Sequence, residues 1–241
     1  MSAVIELGPG VRAGFTQRYD GGVSAAPFDT LNLGHGVDDD PDAVAQNRRV
    51  AAERFGFSAE RVVWMDQVHS ARVAVAAGPG SAGSVDAVVT DRTDLVLAAL
   101  GADGLLVLAA DAQAGIVGAA HSGRSGTRQG VVPEMVAEMA RLGADPVRTS
   151  AVLGPAVCGA CYEVGPEVQA EMARSVPEAA VRTRAGTAGI DLRAAVTAQL
   201  RAAGLGHISS DDRCTLESPE LFSHRGGAPT GRFAGFVWRK Q

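Results

Sequence analysis

The chain has 241 residues, of which 46% are hydrophobic and 20% are charged, so it can bury a core and is not a disordered chain. Its formal net charge of −5 argues against nucleic acid or an anionic membrane as the main partner. No apolar run reaches the length of a membrane span, residues 1–3 begin no basic and apolar leader, and three cysteines do not indicate a disulfide framework. We therefore expect a cytoplasmic monomer that folds as one domain over residues 1–241.

The first half of the chain predicts one helix and then a series of strands. A strand end at 14–16 leads into a glycine-rich turn at 21–24. Asp40 and Pro41 form a cap and a first-turn proline before a helix over 43–55. Short apolar segments predict strands at 61–64, 72–76, 87–90, 95–100, 105–110 and 115–120. Most of them are apolar throughout, which is typical of strands covered on both faces.

The second half predicts mainly helices. Helical spacing of apolar residues covers 127–142, and further helices are predicted at 165–175 and at 191–203, where Asp191 is a suitable cap. Strands are predicted at 151–153 and 233–238. Many consecutive strands with helices before and after them indicate an α+β fold in which a mixed sheet lies between helical layers.

Two histidines stand near predicted strand ends. His69 follows the strand at 61–64, and His121 directly ends the apolar run 115–120, while Asp103 lies in the polar break before the strand at 105–110. Two imidazoles placed in this way indicate an open site for zinc or copper, although each histidine alone also fits a residue bonded to backbone. Asp103 is either a turn residue or a partner that orients an imidazole.

The cysteines give a weaker signal. Cys158 and Cys161 form a C-x-x-C pair, but a zinc ribbon needs a second pair and only Cys214 remains. A thioredoxin-like motif would open a helix, whereas this pair is flanked by Gly-Pro on both sides and is typical of a loop. We expect a packed pair of thiols rather than a structural zinc site.

Short motifs occur in a fixed order over almost the whole chain. They include Gly21-Gly22-Val23-Ser24, Asn32-Leu33-Gly34, Gln67-Val68-His69, Ala102-Asp103, His121-Ser122-Gly123, Cys161-Tyr162-Glu163-Val164 and Phe222-Ser223-His224-Arg225. Their order and spacing resemble the YfiH-type laccase-domain family, also described as multicopper polyphenol oxidase-like proteins. The resemblance extends from about residue 14 to residue 238.

This resemblance implies a three-layer α/β/α fold with a large mixed sheet. It also implies one metal ion, usually zinc, held by two histidines and a cysteine, with His69 and His121 as the histidines. The family is associated with phosphorolysis of adenosine, inosine and methylthioadenosine and with adenosine deamination, so a purine nucleoside and phosphate are the implied substrates. Arg18 falls near a family arginine for phosphate or substrate, and Gln67 and Asp103 are candidates to orient ligands or base.

One departure from the family bears directly on activity. Gly104 stands where the family has its metal cysteine, so we expect zinc to be weakly held or absent, with Cys161 and His35 both open as replacement ligands. Three functions stay open: a zinc-dependent purine nucleoside phosphorylase and adenosine deaminase weakened by this loss, a copper-dependent polyphenol oxidase, and a degenerate relative that binds nucleosides without turnover. The oxidase ranks lower because five histidines cannot supply several copper centres.

Overall fold

The computed structural model describes residues 3–240, so residues 1 and 2, on which the expectation of no leader partly rests, lie outside the described residues. The helices are α1 Pro41–Phe55, α2 Arg124–Gln129, α3 Val131–Arg141, α4 Pro166–Ser175 and α5 Leu192–Ala202, with 3-10 turns at Ala59–Arg61 and Pro177–Ala179. The strands are β1 Val4–Gly8, β2 Val11–Phe15, β3 Val62–Trp64, β4 Val73–Val75, β5 Gly80–Ser81, β6 Ala87–Thr90, β7 Val96–Gly101, β8 Leu105–Asp111, β9 Ile116–Ser122, β10 Ser150–Leu153, β11 Ala180–Arg182, β12 Ala188–Ile190, β13 His207–Ser210 and β14 Phe233–Arg239. Within residues 3–240, no helix has the length and apolar character needed to span a bilayer.

Twelve of these strands form two six-stranded mixed sheets. The first has the order β1-β2-β14-β7-β3-β5, and the second has the order β13-β10-β8-β9-β6-β4. In the first sheet β3 runs parallel to both β5 and β7; in the second, β4 runs parallel to β6 and β10 to β13. The other neighbouring pairs are antiparallel.

The two sheets pack face to face, and helices cover their outer faces. Leu97 from the first sheet and Leu108 from the second belong to one buried cluster between the sheets. On the outer face of the first sheet, the Phe55 ring of α1 meets the Trp238 ring of β14 edge to face at 5.7 Å between centroids. On the outer face of the second sheet, α3 and α5 contribute to another buried cluster that includes Met135. Strands β8 and β9 are therefore buried on both faces, as their apolar sequences predict.

Local signals fix the helix ends. The Asp40 side chain accepts a hydrogen bond from the Asp42 N–H at 2.9 Å, Pro41 begins α1, and Gly56 ends it with a left-handed φ of +79°. The single helix predicted over 127–142 is divided in two, because Gly130 adopts a φ of +83° between α2 and α3. The predicted helices at 165–175 and 191–203 are confirmed as α4 and α5.

The predicted α+β class is confirmed, with mixed sheets between helices. The strands are divided between two sheets where we expected one large sheet, so two strand layers separate the helices. A continuous apolar strand is equally suited to lie between a helix and a second sheet as between two helical layers, and the sequence pattern does not distinguish these cases. Strands β1 and β13 have mixed polar sequences and were not among the predicted elements.

Candidate active site

A cavity of about 1130 Å³ lies where the ends of β3, β7 and β9 and the start of β8 meet. Its wall includes His69 and Gln67 from the segment after β3, Asp103 from the β7–β8 connection, and His121 from β9. The fold thus brings four of the five predicted site residues to one cavity, while the fifth, Arg18, does not line it.

The two histidines face each other across a small space. Their ring centroids are 5.0 Å apart and the rings are inclined by 69°. A Cβ atom placed on Gly123 would lie 3.2 Å from His69 Nδ1 and 3.4 Å from His121 Nε2, so these two nitrogens border the same point. Two imidazole nitrogens that border one point are a suitable pair of ligands for a zinc ion, which takes such nitrogens at about 2.0–2.1 Å.

Asp86 holds this arrangement and was not identified from the sequence. Its carboxylate is fully buried and accepts hydrogen bonds from the backbone N–H groups of Val68, His69 and Ser70, at 3.2, 3.1 and 2.7 Å, and from the Ser70 hydroxyl at 2.9 Å. It also lies 3.1 Å from His121 Nδ1. Because a carboxylate only accepts, Nδ1 carries the proton and the Nε2 lone pair of a neutral imidazole is left toward the cavity.

The pKa values of Asp86 and His69 suit a site that binds a cation. Burial alone would raise the pKa of Asp86, but the hydrogen bonds from His121 and Ser70 outweigh it and lower the pKa to about 2. Burial and the nearby His121 and Arg232 lower the pKa of His69 below its ordinary value of 6.5. His69 is therefore neutral at neutral pH, the form in which histidine binds a metal.

Asp103 stabilises the cavity wall, and its carboxylate binds groups other than the imidazoles. It accepts hydrogen bonds from the Thr215 and Ser223 hydroxyls at 2.6 and 2.7 Å and from the Arg225 backbone N–H at 2.7 Å. Its φ of +87° is left-handed and unfavourable for a residue with a side chain. The imidazole-orienting role that the sequence left open for Asp103 belongs to Asp86.

The Gln67 side chain makes its hydrogen bonds to backbone groups of Leu100. Its amide nitrogen donates to the Leu100 carbonyl at 2.9 Å, and its amide oxygen accepts from the Leu100 N–H at 2.7 Å. These two bonds fasten the segment that carries His69 to the end of β7. Gln67 is therefore placed to position the site rather than to react.

Arg18 is engaged outside the cavity. Its Nε and Nη2 donate to the Asp29 carbonyl and carboxylate at 2.7 and 2.8 Å, and its guanidinium packs against the Tyr19 and Phe222 rings. The sequence pointed to a cation for phosphate, but the arginines that line the cavity are others, namely Arg48, Arg124, Arg225 and Arg232.

Two of these arginines are half-buried and retain free donors. Arg48 stacks 3.7 Å above the Trp64 ring, and its Nε and Nη2 both donate to the Leu33 carbonyl, whereas Nη1 makes no hydrogen bond within residues 3–240. Arg232 uses only Nη1, which donates to two backbone carbonyls, and its Nε and Nη2 make no bond among the described residues. Burial lowers the pKa of Arg48 to about 10 and also lowers that of Arg232. Both side chains remain cationic at neutral pH.

Gly104 lies directly beside the histidine pair. A Cβ atom on Gly104 would stand 2.5 Å from His121 Nε2, so the imidazole occupies the space that a side chain at this position would need. His35, one of the replacement ligands considered, lines the cavity near Arg48, and burial and the Arg48 charge lower its pKa.

The three cysteines converge at a second place and do not line the cavity. The ligand atoms of Cys158, Cys161, Cys214 and Glu217 all lie within 4.8 Å of one another. The expected thiol pair is thus part of a larger cluster, in which a third thiol and a glutamate carboxylate join Cys158 and Cys161. Burial and the neighbouring thiols raise the pKa of Cys161 to about 12. Cys161, considered as a replacement ligand for the position of Gly104, belongs to this cluster. The expectation that the loss of a cysteine at 104 leaves zinc weakly held or absent is unsupported, since a possible metal site of three cysteines and a glutamate is intact.

Comparison with known proteins gives consistent matches over nearly the full chain. The model of the multi-copper polyphenol oxidoreductase laccase family matches residues 12–240. A purine nucleoside phosphorylase of Streptomyces coelicolor is 50% identical over 232 residues, covering 95% of this chain and 96% of that protein. One of Mycobacterium tuberculosis is 49% identical over 220 residues, covering 90% and 88%. Among solved structures, YlmD from Geobacillus stearothermophilus matches with a TM-score of 0.90 at 34% identity, covering 96% of this chain and 93% of that one. The Bacillus licheniformis protein YfiH matches with a TM-score of 0.88 at 32% identity, covering 95% and 93%.

Proposed function

Because the chain belongs to the multi-copper polyphenol oxidoreductase laccase family, as its motifs predict, we propose that it is a purine nucleoside phosphorylase. Its relatives of similar length carry that name, and about half of their residues are identical. The observation that carries the proposal is one cavity with paired imidazoles and two half-buried arginines whose N–H donors are free. Adenosine, inosine and methylthioadenosine are the substrates to be tested.

The arginines supply the phosphate site. Four arginines and four histidines line the cavity against two aspartates, and the Asp103 carboxylate is already occupied by three donors. The free Nε and Nη2 of Arg232 form the fork that binds two phosphate oxygens, and Arg48 Nη1 adds a third donor. Half-burial reduces screening by water and strengthens these contacts.

Another part of the cavity wall, formed by Tyr162 and Arg225, suits the purine base. Tyr162 lines the cavity, and the Arg225 guanidinium lies 4.6 Å from the centre of its ring. The exposed part of this aromatic face stacks on the base, and the cation opposes the negative charge that grows on the purine. In the reaction a phosphate oxygen bonds to C1′ as the bond from C1′ to the purine nitrogen breaks. The base leaves with that electron pair and takes up a proton.

The imidazoles are the metal ligands that we propose for this site. The facing nitrogens of His69 and His121, with Asp86 behind the second ring, fit zinc or copper because both ions bind neutral imidazole. A zinc ion held there would supply a Lewis acid with open positions for water or substrate. The two rings hold the metal, and Arg232, whose charge is near enough to lower the pKa of His69, binds phosphate beside it.

Phosphorolysis is tested by following purine release from the three nucleosides with phosphate. Arg232→Met and Arg48→Met are each expected to raise the KM for phosphate at least about tenfold, since each removes a charge-assisted contact. Arg92→Met is the control, because Arg92 sits in an exposed ion pair with Asp94 outside the cavity. Absence of base release from all three nucleosides by the folded protein would reject the phosphorylase proposal and favour a relative without turnover. Equal phosphate KM values in the Arg232 and Arg92 variants would refute the phosphate site.

Adenosine deamination is a second candidate, favoured by the paired imidazoles. His69 and His121 would hold the metal, which would supply an activated water; in the reaction the ring carbon gains the oxygen of water and releases its amine as ammonia. Ammonia release from adenosine without phosphate is expected to disappear in His121→Ala and to persist in Arg232→Met. The copper-dependent phenol oxidase ranks lower, because a laccase needs several copper centres and only one close pair of histidine rings occurs within residues 3–240.

A further inference from the structure

Two turns of the same design meet behind the wall of the cavity. In the first, Cys158 and Cys161 are three residues apart, and the Cys161 N–H donates to the Cys158 carbonyl at 2.9 Å. In the second, Cys214 and Glu217 are three residues apart, and the Glu217 N–H donates to the Cys214 carbonyl at 3.2 Å. A zinc ribbon uses two such turns, each with a ligand at its first and fourth positions.

The backbone brings these two turns together. Ala156 and Cys214 form a parallel bridge, and the Cys158 N–H lies 3.3 Å from Cys214 Sγ. An N–H that points at a sulfur stabilises the thiolate rather than the thiol. The contact therefore prepares Cys214, which is buried, to act as a ligand.

The distances suit a four-coordinate ion. A tetrahedral site with Zn–S bonds of about 2.3 Å places its ligand atoms about 3.8 Å apart. The four atoms here all lie within 4.8 Å of one another, and Cys158 Sγ is 3.9 Å from Glu217 Oε2. All three cysteines are free thiols, so no disulfide competes for them.

The charge around the cluster also favours a bound cation. Once its three thiols give up their protons to a bound ion, the ligand set carries four negative charges, and a divalent ion cancels half of them. Arg184 forms an ion pair with Glu217 at 2.8 Å and offsets part of the remainder. Thiolate-rich tetrahedral sites select zinc over magnesium or calcium.

We propose that Cys158, Cys161, Cys214 and Glu217 bind one structural zinc ion, separate from the histidine pair. The ion ties together the turns that carry the cavity wall. Thr215, next to Cys214, donates to the Asp103 carboxylate, and the Val157 N–H, next to Cys158, donates to the Asp103 carbonyl at 3.1 Å. Tyr162 follows Cys161 directly and lines the cavity. Because its ligand set is closed, this ion stabilises and does not react.

The test uses cobalt as a spectroscopic replacement for zinc, so it does not depend on phosphorolysis. Protein produced with cobalt is expected to show the intense near-ultraviolet charge-transfer bands of thiolate-bound Co²⁺. The bands are expected to persist in the His69→Ala/His121→Ala double variant. Cys161→Ser is expected to lower the intensity of the bands, because two of the three thiolates remain, and to weaken zinc binding roughly a hundredfold, about the share of one ligand in a set of four.

Glu217→Gln is a second test, for the case in which Cys161→Ser fails to fold. Glu217 is exposed, so its replacement leaves the core intact. We expect it to keep the thiolate bands with a shifted visible spectrum and to lose zinc faster to a chelator than the parent protein. Cobalt bound without thiolate bands, or metal content that follows only the histidine pair, overturns the proposal. A Cys158–Cys161 disulfide in freshly purified protein, seen as the loss of two hydrogens in mass, overturns it as well.

Discussion

Replacement of Asp86 by asparagine removes the charge on which the histidine site rests. The Asp86 carboxylate accepts three backbone N–H groups, the Ser70 hydroxyl and the Nδ1–H of His121, and no part of it is exposed. Asparagine keeps the shape but turns an N–H₂ group toward these donors. Some donors are then left buried and unpaired, and the His121 ring loses the partner that fixes its orientation.

The size of the effect follows from the pKa of Asp86. A pKa of about 2 in the folded state, against an ordinary value of 3.8, corresponds to about 2 kcal/mol of stability at neutral pH. Repulsion between the new N–H₂ group and the old donors adds to this, so we expect Asp86→Asn to lower the free energy of unfolding by about 3 kcal/mol. Because the folded pKa lies below the unfolded one, the contribution of Asp86 is complete above about pH 4 and is lost as the pH falls toward 2.

Urea unfolding at pH 7 measures the loss, with Asp111→Asn as a matched control. Asp111 is equally buried and accepts hydrogen bonds from the Asp145 N–H and from Arg148, but it does not line the cavity. Both variants are expected to lose stability, whereas only Asp86→Asn lowers metal content and nucleoside turnover per folded molecule. A loss below about 0.5 kcal/mol at pH 7, or equal turnover in the two variants, would refute this account of Asp86.

Three further predictions concern neighbouring positions. Gly104→Cys and Gly104→Ala both place a Cβ against His121 and are expected to lose about 1–3 kcal/mol of stability. Only the cysteine adds a ligand, so zinc competition titration is expected to show about tenfold tighter binding than in the alanine variant; equal affinities would contradict this. Gln67→Leu leaves the Leu100 N–H and carbonyl without their partners and is expected to cost about 1–3 kcal/mol in urea unfolding, and Gln67→Glu, which keeps the acceptor, is expected to cost less. In the metal-free protein, NMR titration of His69 is expected to give a midpoint below 6.5, so folding becomes less favourable as the pH falls from 6.5 toward that midpoint; a midpoint of 6.5 or above would contradict the burial argument.

The fold was predictable where local signals are strong. The apolar segments that became β6 to β9 and the Asp40–Pro41 cap of α1 were identified because burial and capping impose residue types at short spacing. The division into two sheets was not predictable, because the pairing between β2 and β14 joins residues more than 200 positions apart. Nothing in either local sequence records which of two possible sheets a strand enters.

The site was predictable only in part, for a similar reason. His69 and His121 stand out because the chain has only five histidines and these two follow predicted strands within motifs of the resembled family. Asp86 lies just before β6 in a Gly-Ser-Val-Asp segment that is indistinguishable from an ordinary turn. The cysteine cluster was missed because a search for paired cysteines overlooks a glutamate as the fourth ligand. A signal existed, namely the same three-residue spacing in Cys214-Thr215-Leu216-Glu217.

Two buried carboxylates hold left-handed backbone in place beside the cavity. His69 and Asp103 both have left-handed φ angles, +58° and +87°, and such a conformation costs about 1–2 kcal/mol for a residue with a side chain. Each strained residue is fixed by one carboxylate: Asp86 accepts the His69 N–H, and Asp103 uses its own side chain to bind Thr215, Ser223 and the Arg225 N–H. Apolar packing alone would let these loops relax, because it is not directional. The sheets therefore set where the loops begin, and the two carboxylates set where the histidines and the cavity wall point.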